Sequence, residues 1–257
     1  MKRELFNKLA ILLFASAMVF LSFGIANAQI QAAGGGYYVA GYGTVYGSFG
    51  QASAAQGRLY DKMKTQNAAA SRQTTSSSAK SVVPAPPIVR NYGVFRPDNT
   101  VDTGKALADA LGGTPDEKAL IRKIYAATKT EYDKEAAVRG WKYNISAGLT
   151  FFTVTAMTVY HVEEPTDDAT NNYFSSVNSS LDEIPEFAKL SNKEKQGYNN
   201  TLVGFGGLLV ASYTEAKQNN DASALASSKK LAGMLIEMVL KTNPENLRVE
   251  NGQIVMK

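Results

Sequence analysis

The densest group of side chains able to do chemistry is His161-Val162-Glu163-Glu164, followed by Asp167 and Asp168. Carboxylates take hard divalent cations and an imidazole adds a nitrogen ligand, so His161, Glu163 and Glu164 are the candidates for a metal site. Their spacing fits no calcium loop and lacks the glycine such a loop needs at its sharp turn. An acidic helix end leading into the positively polarised start of the next helix accounts for the same residues, with Asp167 and Asp168 at that start. Glu131 is the candidate for a glycosidase-type acid, because it falls in the arc between Leu120, Ile124 and Val138, where burial would raise its pKa. A helix end leaving the core would instead let Glu131 reach water. Gly204-Phe205-Gly206-Gly207 has the glycine content of a phosphate loop, but it follows no predicted strand and precedes no Lys-Ser/Thr pair. Close approach of two helices better explains glycines that each cost about 1 kcal/mol inside a helix. A serine triad would have to draw on His161, and no nucleophile motif accompanies it. The residues therefore specify no catalytic, cofactor or metal site, and His161, Glu163 and Glu164 are the nearest approach to one.

Composition narrows the chemistry further. The chain of 257 residues has no cysteine, one histidine and one tryptophan. The first count excludes disulfide scaffolds, thiolate metal sites, iron–sulfur clusters, cysteine nucleophiles and a lipid anchor on cysteine. The second excludes any site built from several histidines. The net charge of +4 is unevenly divided. Residues 29–100 carry seven basic and two acidic side chains, whereas residues 101–257 carry seventeen basic and twenty acidic ones. The basic excess thus sits in a tail, and the part able to fold is mildly acidic. No recognition motif accompanies the scattered basic residues, so no nucleic-acid partner is expected.

The elements that must position these residues begin with an export segment. Lys2, Arg3 and Lys8 precede an apolar run from Leu9 to Ile25, and Ala26-Asn27-Ala28 supplies small residues for cleavage before Gln29. The run approaches the ~20 residues that cross a bilayer. It softens into small residues at its end and meets no basic stop-transfer cluster, so residues 1–28 read as a signal peptide. After its cleavage no membrane span is expected. Residues 29–63 form a leader: glycine recurs through 34–50 with Tyr37, Tyr38, Tyr42, Tyr46 and Phe49 interleaved, and a helix-compatible stretch from Ala52 to Met63 carries Leu59, Tyr60 and Met63. Residues 64–98, rich in Ser, Thr, Ala and Pro, read as a linker that buries too little apolar surface to offset its ordering entropy.

Residues 99–257 predict an all-α bundle of five to six helices with a short C-terminal β-hairpin. Thr114-Pro115-Asp116-Glu117 is a capping box that opens a helix running to about Arg139, with Gly140 as its stop. A shorter helix over 103–111 precedes it. Asn144 caps a helix through about Val162 that is apolar over most of its circumference and belongs at the bundle's centre. Its β-branched content makes a strand the alternative. Its polar positions Ser146, Thr150, Thr153 and His161 recur with helical spacing. Helices follow over 167–183, from Ser191 to about Gln218, and from Asp221 until Pro244. Leu247/Val249 and Ile254/Met256 flank Asn251-Gly252, a hairpin turn signal.

One resemblance covers much of the helical part. Trp141-Lys142-Tyr143-Asn144-Ile145 leads into an apolar span. Leu190-Ser191-Asn192-Lys193-Glu194-Lys195-Gln196 then precedes Leu208-Leu209-Val210, and Thr242-Asn243-Pro244-Glu245-Asn246-Leu247 closes the order. The pattern, over about 95–255, resembles an uncharacterised family of exported bacterial helical proteins known as a domain of unknown function. The resemblance implies a signal peptide, a variable low-complexity leader and a helical domain, and carries no catalytic residue. The expectation is an exported, non-enzymatic helical module, periplasmic or extracellular, that binds or scaffolds an unknown envelope or extracellular partner. Two other readings stand beside it: a surface protein self-associating through its Gly/Tyr leader, and a carboxylate-based envelope enzyme acting on glycans.

Overall fold

The computed structural model describes residues 58–65 and 90–256. The expected signal segment, the Gly/Tyr tract and residues 66–89 lie outside the described residues. Seven helices follow one another: α1 (Thr103–Leu111), α2 (Pro115–Val138), α3 (Ile145–His161), α4 (Asp167–Leu181), α5 (Pro185–Lys189), α6 (Asn192–Gln218) and α7 (Ala222–Leu240). A 3-10 turn over Pro244–Asn246 then leads into β1 (Leu247–Glu250), which pairs antiparallel with β2 (Gln253–Met256). A further helical stretch occupies 58–65. The protein is all-α with a small C-terminal ribbon.

Capping side chains set most of the boundaries. Thr114 and Ser191 each accept from the third amide of their helix while Glu117 and Glu194 reach back to the cap amide, so both boxes satisfy donors that have no partner inside the helix. Asp102, Asn144, Thr166 and Asp221 cap α1, α3, α4 and α7 in the same sense. Pro244 opens the 3-10 turn rather than closing α7, which ends at Leu240 with Lys241 in the left-handed region.

The core forms around α3, which packs against α6, α7 and α4, while α6 also carries α2 and α1. Ile145, Leu149, Phe152, Ala156 and Val159 of α3 are buried, as are Tyr198, Leu202, Phe205, Leu209 and Tyr213 of α6. The span 150–162 is helical, not a strand, because α3 is covered on several sides and its β-branched residues pack outward from a helix axis. The hairpin is held on the bundle by packing of β2 against α4, with Leu247, Ile254 and Met256 buried.

Two features depart from the sequence-based division. Val138 is 77% exposed, and the buried residues of α2 are Thr128, Glu131, Tyr132 and Ala136 instead. The packed unit also begins before Asn99. Leu59, Tyr60 and Met63 lie within the main core, and Phe95 joins them. Residues 90–98 form an extended strap. Arg90 and Tyr92 amides both donate to Asp182 at 2.8 Å, and the Ile145 amide donates to the Gly93 carbonyl at 2.9 Å. The Phe95 amide donates to Tyr143, and the Gln196 side chain bonds both the amide and the carbonyl of Asp98. Burial of a few apolar side chains and these backbone partners offset the entropy of ordering the strap.

Candidate functional site

The α3–α4 junction places the candidate metal ligands apart in role. α3 ends with Val162 at φ 60°, which turns the chain sharply toward α4. His161 points to the C-terminal ribbon, its Nε2 lying 2.7 Å from the Leu247 carbonyl oxygen, with Tyr160 edge-on to its ring. Glu163 and Glu164 are exposed beyond the turn. Asp167 pairs with Arg139 at 3.3 Å, and Thr166 caps α4, so the acidic junction does what a helix start requires. Among the described residues, no three His, Asp or Glu side chains converge as a cation site would require.

Glu131 is buried, 6% exposed, where an outward course for the helix would have left it in water. Its carboxylate accepts from Lys134 Nζ at 2.6 Å, one turn along α2. The glycines of 204–207 lie inside α6. A Cβ on Gly204 would strike Leu107 of α1, one on Gly206 would strike Phe151 of α3, and one on Gly207 would strike Thr128 of α2. They are the surfaces on which three neighbouring helices rest, which is the close approach expected of them.

Sequence reasoning missed a polar seam through the helix interfaces. Tyr132 donates from α2 to Asn199 Oδ1 of α6 at 3.0 Å, and Asn199 Nδ2 donates to Asn200 at 3.2 Å. Gly148 of α3 sits against the same Asn199. Asn144 Nδ2 and Ser146 Oγ both donate to Asn178 Oδ1 of α4. Thr153 and Tyr173 hydroxyls meet at 3.2 Å in the core. Burial pushes Tyr132, Tyr173 and Tyr198 above the ordinary phenol range, and pushes Tyr125 up to about 12 against a lowering bond to Thr103. They act as neutral hydrogen-bonding groups, not as phenolates. Helical spacing marks Ser146, Thr150 and Thr153 as a strip, but the strip is buried rather than facing water.

Two further arrangements complete the geometry. Trp141 stacks on Phe174 at 4.1 Å and 6°, with the Arg139 guanidinium 5.1 Å from the Trp141 ring and bonded to Asn171. The stack fastens the α2–α3 turn to α4. Lys195, 8% exposed at the start of α6, donates to the Val94 carbonyl at 3.4 Å, and burial lowers its pKa.

The sequence matches a family of unknown function, DUF6683, over residues 11–257. The chain belongs to this family. The match runs through the expected leader as well as the helices. Neither the curated proteins nor the solved structures gave a match. The family description assigns no activity, and the helical fold and the docked leader segment are what the structure adds to it.

Proposed function

We propose that this DUF6683 protein is an exported, non-enzymatic helical module that binds or scaffolds a partner at the bacterial cell envelope. One observation carries the non-enzymatic reading: of the side chains that chemistry would draw upon, His161, Glu131, Asp167, Tyr132 and Tyr173 each have a partner within the protein. His161 holds the ribbon, Glu131 pairs with Lys134, Asp167 pairs with Arg139, and Tyr132 and Tyr173 bridge helices. Export rests on the basic, apolar and small-residue order of 1–28. Among the described residues no helix is long and apolar enough to cross a membrane, which is compatible with attachment through a surface. The test is crosslinking of the full chain in its native envelope followed by mass spectrometry of the adduct. A discrete adduct with an envelope component is expected. Recovery with cytosolic components alone would refute the proposal.

A second reading is favoured by the burial of Leu59, Tyr60 and Met63 in the core, since the Gly/Tyr tract directly precedes this stretch in the sequence. The tract then acts as a contact element between copies. Sedimentation across a concentration series should show assembly that disappears when residues 34–50 are deleted. Assembly that persists after that deletion would exclude the tract as its cause.

A further inference from the structure

The turn of the C-terminal ribbon joins two residues that can react with each other. Asn251 and Gly252 form the tip between β1 and β2, and the chain has no other glycine directly after an asparagine. An asparagine side chain presents its amide carbon to the backbone nitrogen of the next residue, and attack by that nitrogen closes a cyclic imide. A side chain on the attacking residue would crowd the ring, and glycine has none.

The fold leaves this pair open. Both residues are exposed, with φ 51° at Asn251 and 72° at Gly252, as a tight two-residue hairpin turn requires. A Cβ built on Gly252 would meet nothing within 4 Å, so a ring closing there has room. Ladder pairing ends at Glu250 and Gln253, which leaves the Gly252 amide outside it. The Gly252 carbonyl accepts from Asn172 of α4 at 3.4 Å, a long contact that restrains the tip weakly. Other exposed asparagines are arranged differently. The amide after Asn91 donates to Asp182, that after Asn99 to Asp98 and that after Asn220 to Ala216, so each of these nitrogens is engaged. Asn243 precedes a proline, which has no N–H.

We propose that Asn251 is a self-modification site, at which the Gly252 nitrogen attacks the Asn251 side-chain amide and converts the residue to isoaspartate. The bond that forms joins the Gly252 nitrogen to Asn251 Cγ. The bond that breaks is Cγ to Nδ2, and Nδ2 leaves as ammonia with the proton given up by the Gly252 nitrogen. Water then opens the imide. Addition at Cγ restores the ordinary peptide link and gives aspartate, whereas addition at the Asn251 backbone carbonyl gives isoaspartate, with the main chain running through Cβ. No electrons are transferred, and water is the co-reactant. Isoaspartate lengthens the main chain of a turn whose geometry sets the pairing of Glu250 with Gln253. Leu247, Ile254 and Met256 keep the ribbon on the bundle while its turn end opens. The reaction is independent of export and of any partner.

The test follows the full chain over time in mildly alkaline buffer by peptide mass spectrometry. The expected result is the mass gain of amide-to-carboxyl conversion at Asn251 before any other asparagine, divided between aspartyl and isoaspartyl forms. Amide exchange of the separated isoaspartyl form should show protection lost at Glu250 and Gln253, with the helices unchanged. Asn251→Gly removes the reacting side chain and leaves a Gly-Gly pair that the turn accepts, so its ribbon should keep its protection through the same incubation. No gain at Asn251, an earlier gain at another asparagine such as Asn220, unchanged protection in the isoaspartyl form, or an equal loss in Asn251→Gly would each overturn the proposal.

Discussion

Gly148 lies where α3 crosses α6, and a side chain there would displace Asn199, the acceptor for Tyr132. Gly148→Ala should therefore cost about 1–3 kcal/mol, as overpacking does, and chemical denaturation would show it. Gly140, at φ 71° with open space around it, is a control in which only backbone conformation is penalised. Tyr173→Phe isolates another bond of the seam. Removing its hydroxyl strips Thr153 of that partner inside the core, with an expected loss of about 1–3 kcal/mol in the same assay. These residues were not legible as a seam in the sequence. Periodicity finds a helix face but does not say whether a polar strip on it meets water or another polar strip. Glu131 shows the converse: its place in the apolar arc was readable, while the neighbouring Lys134 that pairs with it decides how it is buried.

At the scale of elements, side-chain caps made the long helices readable. Thr114→Ala and Ser191→Ala should each lower stability by about 1 kcal/mol, measured by denaturant titration, because each leaves an unpaired donor at a helix start. α5 escaped sequence analysis because it has five residues and no side-chain cap bond. The strap 90–98 escaped for a different reason: its order comes from Asp182, Tyr143 and Gln196, distant in sequence and invisible to local pattern. The stretch 58–65 was recognisable as helix-compatible, and its burial depends on a groove made by later residues. A chain beginning at residue 58 should accordingly melt at a clearly higher temperature than one beginning at residue 99, which lacks Leu59, Tyr60, Met63 and Phe95 from its core. Equal melting temperatures would show that these residues add no stability.

At the scale of the whole molecule, ionisation couples to folding in two opposite places. Hydrogen bonds from the Ser191 hydroxyl and amide hold Glu194 below its usual pKa, so its contribution is present above the ordinary carboxylate range and is lost as pH falls through the depressed value. Burial depresses Lys195 from 10.5, so the folded state gains relative stability only as pH rises toward that value. Lys195→Met should raise the melting temperature at neutral pH, and the gain should shrink as the buffer approaches the lysine range. A gain unchanged with pH would assign the effect to packing alone.

Helical architecture was readable from caps and period, whereas the partner is a property of surfaces and of cell location that local pattern does not encode. Export is the central claim, because an envelope role requires it. The most direct measurement is fractionation of native cells with intact-mass analysis of the chain in each fraction. A chain beginning at Gln29 is expected in the envelope or outside the cell. A chain retaining residues 1–28 in the cytosolic fraction would contradict it.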